Sequence, residues 1–173
     1  TITTTSKQQG RFVRQTGGHG QYGDVTLRLE PANRGEGILF ESEITGATLP
    51  KEFQSAAEQG FREAANSGSI AGFPTTDLRA ILTDGSFHDV DSSEMAFRIA
   101  GSMAFRAAVE RAKPVILEPI MKIEVVTPGE FLGNVLSDLG ARRAQVQSME
   151  GHSTTQIVKE MIPLAETFRY ATT

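Results

Sequence analysis

The chain has 173 residues, 39% of them hydrophobic and 22% charged, the composition of one ordinary globular domain or two small ones. Its net charge of −4 argues against a protein that coats nucleic acid through bulk cation, and the lack of any cysteine excludes a disulfide framework or a thiolate zinc site. No apolar run approaches the ~20 residues of a membrane span and no secretory signal opens the chain, so the cytoplasm is the expected compartment.

The charge is unevenly spread. Residues 1–23 carry Lys7, Arg11 and Arg14 and no carboxylate, a basic end on an acidic body that can meet RNA at one place. Three cations are more commonly a solvated stretch, and alone they decide little. Arg11-Phe12-Val13-Arg14 suits a strand, and Gln15-Thr16-Gly17-Gly18-His19-Gly20-Gln21-Tyr22-Gly23 then reads as a glycine-rich loop. Val25, Leu27 and Leu29 alternate with polar residues as in a half-buried strand, Pro31 to Gly37 is turn chemistry, and Ile38 to Ile44 reads as the return strand.

Pro50 suits the first position of a helix that places Phe53, Ala56, Ala57, Gly60, Phe61 and Ala64 on one face and ends near Gly68. Leu78, Ala80 and Leu82 predict another strand. Asp84-Gly85-Ser86-Phe87-His88-Asp89-Val90-Asp91 reads as a polar loop closing onto a second helix, with Asp91 and Glu94 at N-cap and N3 spacing. Only Arg98, Ser102, Arg106 and Glu110 form a polar stripe there, so the helix is expected to be largely buried.

Leu117-Glu118-Pro119 marks a junction, giving domains of residues 1–117 and 118–173. Met121, Ile123 and Val125 alternate as a strand, and Thr127-Pro128-Gly129-Glu130 predicts a helix that ends between Gly140 and Arg143. Two strands over 144–150 and 156–162 follow, joined by a Gly-His-Ser turn, then a helix from Pro163 onward. The order β-α-β-β-α is an incomplete ferredoxin-like unit lacking its last strand. Truncation of a longer chain explains this better than a strand supplied by another chain.

Gly18-His19-Gly20-Gln21-Tyr22-Gly23 matches the dinucleotide fingerprint literally, but a strand follows where that site needs a helix. Extended to Val25 it matches the protein-kinase phosphate loop, yet no V-A-I-K, H-R-D or D-F-G accompanies it. A phosphotransferase built on this loop is the weaker rival, and a flat ATP titration removes it. His88 lies among Asp84, Asp89 and Asp91, but the glycine an EF-hand requires is Asp89 or, from the other start, Glu94. His19 and His152 are too distant in sequence to suggest a zinc site. Ser86, His88 and Asp89 are chain neighbours, whereas hydrolase triads join separated segments. A capped turn with one exposed histidine is the better reading, and no catalytic residue is assigned.

Residues 11–23, Leu49-Pro50-Lys51-Glu52-Phe53, Ala71-Gly72-Phe73-Pro74, residues 84–97, residues 99–105, Leu117-Glu118-Pro119-Ile120-Met121 and residues 164–172 together resemble the fourth and fifth domains of the bacterial elongation factor G family. The resemblance covers essentially the whole chain, with small departures: His19 where many members carry arginine, and Phe87 where many carry tyrosine. It implies an α+β chain, with a β/α domain similar to the second domain of ribosomal protein S5 followed by a ferredoxin-like unit truncated before its last strand. It also implies a non-enzymatic fragment of a ribosomal translocase whose GTPase part, with its GTP and magnesium, lies upstream.

By that resemblance the fourth domain enters the decoding region of the small subunit, in the space the A-site tRNA vacates. Its partners are ribosomal RNA, mRNA and tRNA, with no membrane and no small-molecule substrate. Two tip loops make the contacts. They match Gln15, Thr16, Gly17, Gly18, His19, Gly20, Gln21 and Tyr22 in one segment and Ser86, Phe87, His88 and Asp89 in the other. His88 matches the position modified to diphthamide in the archaeal and eukaryotic counterparts. On the residues alone, Gln15, Gln21 and His88 offer hydrogen bonds and Tyr22 or Phe87 offers a stacking ring, while His19 gives a weaker, pH-dependent charge than arginine. Both loops leave one end of the sheet if the strands ending at Arg14 and Thr83 run parallel. An elongation-factor-G-like paralogue or a ribosome-protection factor is the alternative. The intact Gly17–Gly23 and His88–Ser93 blocks favour the translocase, in a cytoplasmic or an organellar setting.

Overall fold

A computed structural model describes residues 1–68, 70–152, 154–168 and Tyr170, without the side chains of Thr16, His19 and His152. The chain divides into two compact units, Thr1–Ile116 and Leu117–Thr173.

In the first unit, strands β1 (Ser6–Thr16), β2 (His19–Pro31), β3 (Ile38–Ser42) and β4 (Leu78–Ser86) form one sheet in the order β1-β2-β4-β3. β2 is antiparallel to both neighbours, whereas β3 runs parallel to β4, with Ile38 opposite Leu78. The expected return strand therefore does not fold back on β2. The segment containing α1 (Lys51–Ser67) carries the chain from β3 to β4, as a parallel pairing requires.

Alternation puts Val25, Leu27 and Leu29 of β2 and Leu78, Ala80 and Leu82 of β4 on one buried face. There they join Phe61 of α1 and Phe97 and Phe105 of α2 (Glu94–Arg111) in a single apolar cluster. The predicted apolar face of α1 holds, since Ala56, Ala57, Gly60, Phe61 and Ala64 are all buried. Pro50 sits one residue earlier than expected, as the N-cap. The two helices touch backbone to backbone: a Cβ added to Gly101 would lie 2.2 Å from the Ala57 carbonyl oxygen, so only glycine permits this crossing. The N-cap of α2 is Ser93, whose Oγ accepts the Ala96 N–H at 3.2 Å, and not Asp91. The opposite face of the sheet carries Arg28, Glu30 and Arg79, and no described helix of this unit packs on it.

In the second unit β5 (Ile120–Pro128), β6 (Gln145–His152) and β7 (Thr155–Pro163) form a sheet in the order β5-β7-β6, all antiparallel. A single 3₁₀ turn, Gly129–Phe131, precedes α3 (Leu132–Ala141), and Pro128 caps it. The expected helix start at Thr127 and Pro128 is thus a 3₁₀ turn before the α-helix. α4 covers only Leu164–Thr167 and ends at Phe168, whose backbone is extended, so the expected last helix is shorter than its sequence suggests. Arg169 and residues 171–173, like Ser153 of the β6–β7 turn, lie outside the described residues. The chain is an α+β fold with two sheets, as expected.

Candidate nucleic-acid interface

The glycine-rich segment is not a nine-residue loop. Gln15 and Thr16 end β1, His19 to Gly23 begin β2, and Thr16 pairs with His19 across a turn of two residues. Gly17 and Gly18 have φ of 37° and 127°, the positive values that a two-residue hairpin of this hand demands. A Cβ added at either position would meet no atom within 4 Å, so backbone conformation and not crowding selects glycine here. The period-two signal was hidden because glycines and glutamines fill positions where apolar residues usually reveal a strand.

β1 and β4 are both antiparallel to β2 and hence parallel to each other, so the Gly17–Gly18 turn and the exit from Ser86 lie at the same end of the sheet. Asp84 to Ser86 still belong to β4, which shortens the second expected loop to 87–92. This segment leaves the sheet after Ser86 and returns beside β2, where Tyr22 N–H donates to the Asp91 carbonyl at 2.8 Å.

Three side chains fasten the segment to the hairpin. Asp91 Oδ1 accepts the Gly20 N–H at 3.1 Å. A Cβ on Gly20 would lie 3.0 Å from the Asp91 carboxyl carbon, so this approach also favours glycine. Ser92 Oγ donates to the Tyr22 carbonyl at 3.0 Å and accepts the His88 N–H at 2.9 Å. The Tyr22 hydroxyl lies 2.7 Å from Ser86 Oγ and its ring centroid 4.0 Å from that of His88.

Tyr22 is only 8% exposed, which corrects its assignment as a stacking platform: its ring joins the two segments from inside. Phe87 is half-buried against the core and 6.0 Å from Phe53, so it too is chiefly an anchor. The Gly20 N–H is already bound to Asp91 and is not open to a ligand. What the tip offers to solvent is Gln15, Gly17, Gly18, Ser86, His88, Asp89 and Val90, with Gln21 half-buried. The side chains of Thr16 and His19 lie outside the described residues. Sequence reasoning missed Val90, 76% exposed at the crest, and the fastening roles of Asp91 and Ser92. Asp91 carries a signal as a capping residue, but its spacing to Glu94 points to the helix, whereas its carboxylate binds Gly20.

Among the described residues no three His, Asp or Glu side chains converge on a metal position, and no helix is long and apolar enough to cross a membrane. Residues 1–113 match the family model for elongation factor G, domain IV, and residues 115–173 match that for the elongation factor G C-terminus. Elongation factor G proteins from two strains of Dehalococcoides mccartyi are each 52% identical over 99% of the chain. The chain spans 25% of their length. A crystal structure of a Thermus thermophilus protein superposes with a TM-score of 0.85 at 47% identity, covering 99% of this chain and 26% of that one. With both units matched, the chain belongs to the elongation factor G family, of which it carries domain IV and the C-terminal region.

Proposed function

We propose that this chain is the part of a translation elongation factor that enters the small ribosomal subunit, and that its tip acts as a steric wedge. In this reading the Gly17–Gly18 turn and the 87–92 segment enter the decoding region as tRNA and mRNA move, and block their return. The contacts are with mRNA, tRNA and ribosomal RNA, in the cytoplasm. No bond is made or broken by the tip. GTP and magnesium would serve a part of the factor outside this chain: no Walker sequence occurs here, and the glycine segment forms a hairpin whose Gly20 N–H is taken by Asp91.

The observation that carries this reading is the fastening of two sequence-distant segments at one end of the sheet, where His88 and the glycine turn are both exposed. A shape built to occupy space needs such cross-bracing. Paired RNA presents a wide, shallow minor groove that is recognised chiefly by shape and by 2′-hydroxyl and phosphate contacts, which suits a rigid projection. The test is to replace His88 by Ala and, separately, Gly18 by Val in the full-length factor and to time tRNA–mRNA movement. Valine at the positive φ of Gly18 distorts the turn. Each change is expected to slow movement about tenfold, equivalent to ~1.4 kcal/mol of barrier. Unchanged rates for both would remove these segments as the working tip.

A further inference from the structure

We propose that the RNA-contacting surface extends from the tip onto the open sheet face through Arg11, whose guanidinium binds a phosphate of the RNA backbone. This inference rests on the tip reading above and adds to it a charged contact that neither tip segment supplies.

Arg11 lies on β1 opposite Asp24 of β2, two positions along the strand from the Val13–Tyr22 pair. Alternation puts it on the helix-free face of the sheet. Its side chain is 60% exposed, and its guanidinium carbon lies 5.6 Å from the centre of the Tyr22 ring. That same ring supports His88, so Arg11 and His88 are neighbours across one shared aromatic group.

Arg28, on the same face, is already neutralised, donating to Glu30 at 2.9 Å and to Glu43 at 2.6 Å. Arg11 differs. Its nearest carboxylate, Asp24, is 3.9 Å away, too far for a hydrogen bond, and both Asp24 oxygens are taken by the Gln9 amide at 2.8 and 2.9 Å. Among the described residues no hydrogen bond uses an Arg11 donor, so the planar fork is free for an anion. Asp24 and the Tyr22 ring hold the guanidinium without consuming its donors, which lowers the entropy lost when a ligand is bound. Asp24 is the carboxylate beside Arg11, and the strand that carries Arg11, Ser6–Thr16, contains none.

The test uses the full-length factor and purified ribosomes, with affinity measured across a series of salt concentrations. Arg11→Gln removes the charge and keeps a polar side chain of similar reach. It is expected to weaken binding roughly fivefold near 0.1 M salt and to lower the log–log salt slope by about 0.7 to 1, the signature of one lost phosphate contact. Arg11→Lys should restore the slope, and Arg111→Gln, at the far end of α2, should leave it unchanged. An unaltered slope for Arg11→Gln overturns the proposal, as does an equal loss for Arg111→Gln.

An iron chelate tethered through Val13→Cys, beside Arg11 on the same face, should cut nearby RNA strands by hydroxyl radicals. A changed slope with no RNA cleavage would assign Arg11 to an acidic protein surface and overturn the phosphate assignment. The two readings separate cleanly. Slowed movement in the His88 and Gly18 variants with a normal Arg11→Gln slope defeats only this inference. The opposite pattern defeats the wedge.

Discussion

The two units share a plan, helices set against one face of a sheet, but they enclose very different amounts of apolar surface. In the first, Val25, Leu27, Leu29, Leu78 and Leu82 meet Phe61, Phe97 and Phe105, all wholly buried. In the second, only Leu139, Val158 and Ile162 reach that state among the described apolar side chains, and Glu160 is buried on the same strand face as the last two. A dense core fixes geometry, because close-packed side chains transmit load without rearranging. The unit with the projecting tip has that core. The largest expected effect follows from it: Phe97→Ala, which removes a ring stacked 4.6 Å from Phe53, should cost about 3–5 kcal/mol in denaturant unfolding and raise amide exchange throughout the first unit. Phe131→Ala in the second unit, where the ring is 50% exposed, should cost no more than about 0.5 kcal/mol. Similar losses at the two positions would break the contrast.

Glu160 is the sharper half of the comparison. It is 0% exposed, and neither of its carboxyl oxygens has a hydrogen-bond partner among the described residues. Burial pushes its pKa above the ordinary carboxylate value. The folded state therefore holds a proton that the unfolded chain releases at lower pH. Stability from this group is fully present below the ordinary glutamate range and is lost as pH rises through the raised folded pKa. The second unit should unfold more readily at pH 8 than at pH 5. Glu160→Met, close in volume and without charge, should remove Glu160's part of that slope and stabilise the unit by about 1–3 kcal/mol at neutral pH. A variant with the parent's pH profile would show that the carboxyl is satisfied.

Much of this was legible in the residues, and what was not has physical causes. The alternation of Val25, Leu27 and Leu29 and the apolar face from Phe53 to Ala64 gave strand and helix directly, because each element has a single buried side. The arms around Gly17 escaped notice because Gly20 and Gly23 are selected by close approach to Asp91 and to α2, and a strand chosen for backbone proximity has no apolar rhythm. The parallel placement of β3 beside β4 depends on how α1 crosses the sheet, a long-range outcome that no local pattern encodes. At the tip, the exposed His88 was evident from its polar surroundings. The inward turn of Tyr22 was not, since an aromatic beside glycines reads equally as platform or as core. Glu160 was invisible for the same reason: a glutamate within an alternating strand is ordinarily assigned to the solvent face.

A smaller and more local effect than those of Phe97 and Glu160 concerns the fastening of the tip to the core of the first unit. Asp91 contributes one charge-assisted bond, to the Gly20 N–H, and its own carbonyl binds the Tyr22 N–H whatever the side chain. Asp91→Ala should therefore lower global stability by only about 1 kcal/mol. Its effect should be concentrated in one place: the Gly20 amide loses its acceptor and should exchange markedly faster, while the Tyr22 amide changes little. Asp91→Asn keeps an acceptor and should lie between the two. If the hairpin were braced chiefly by its own ladder, from Ser6–Leu29 to Thr16–His19, Gly20 exchange would be the same in all three proteins. A graded response instead locates the brace in a side chain contributed from a different part of the sequence. The tip is then rigid only because the 87–92 segment is folded against it.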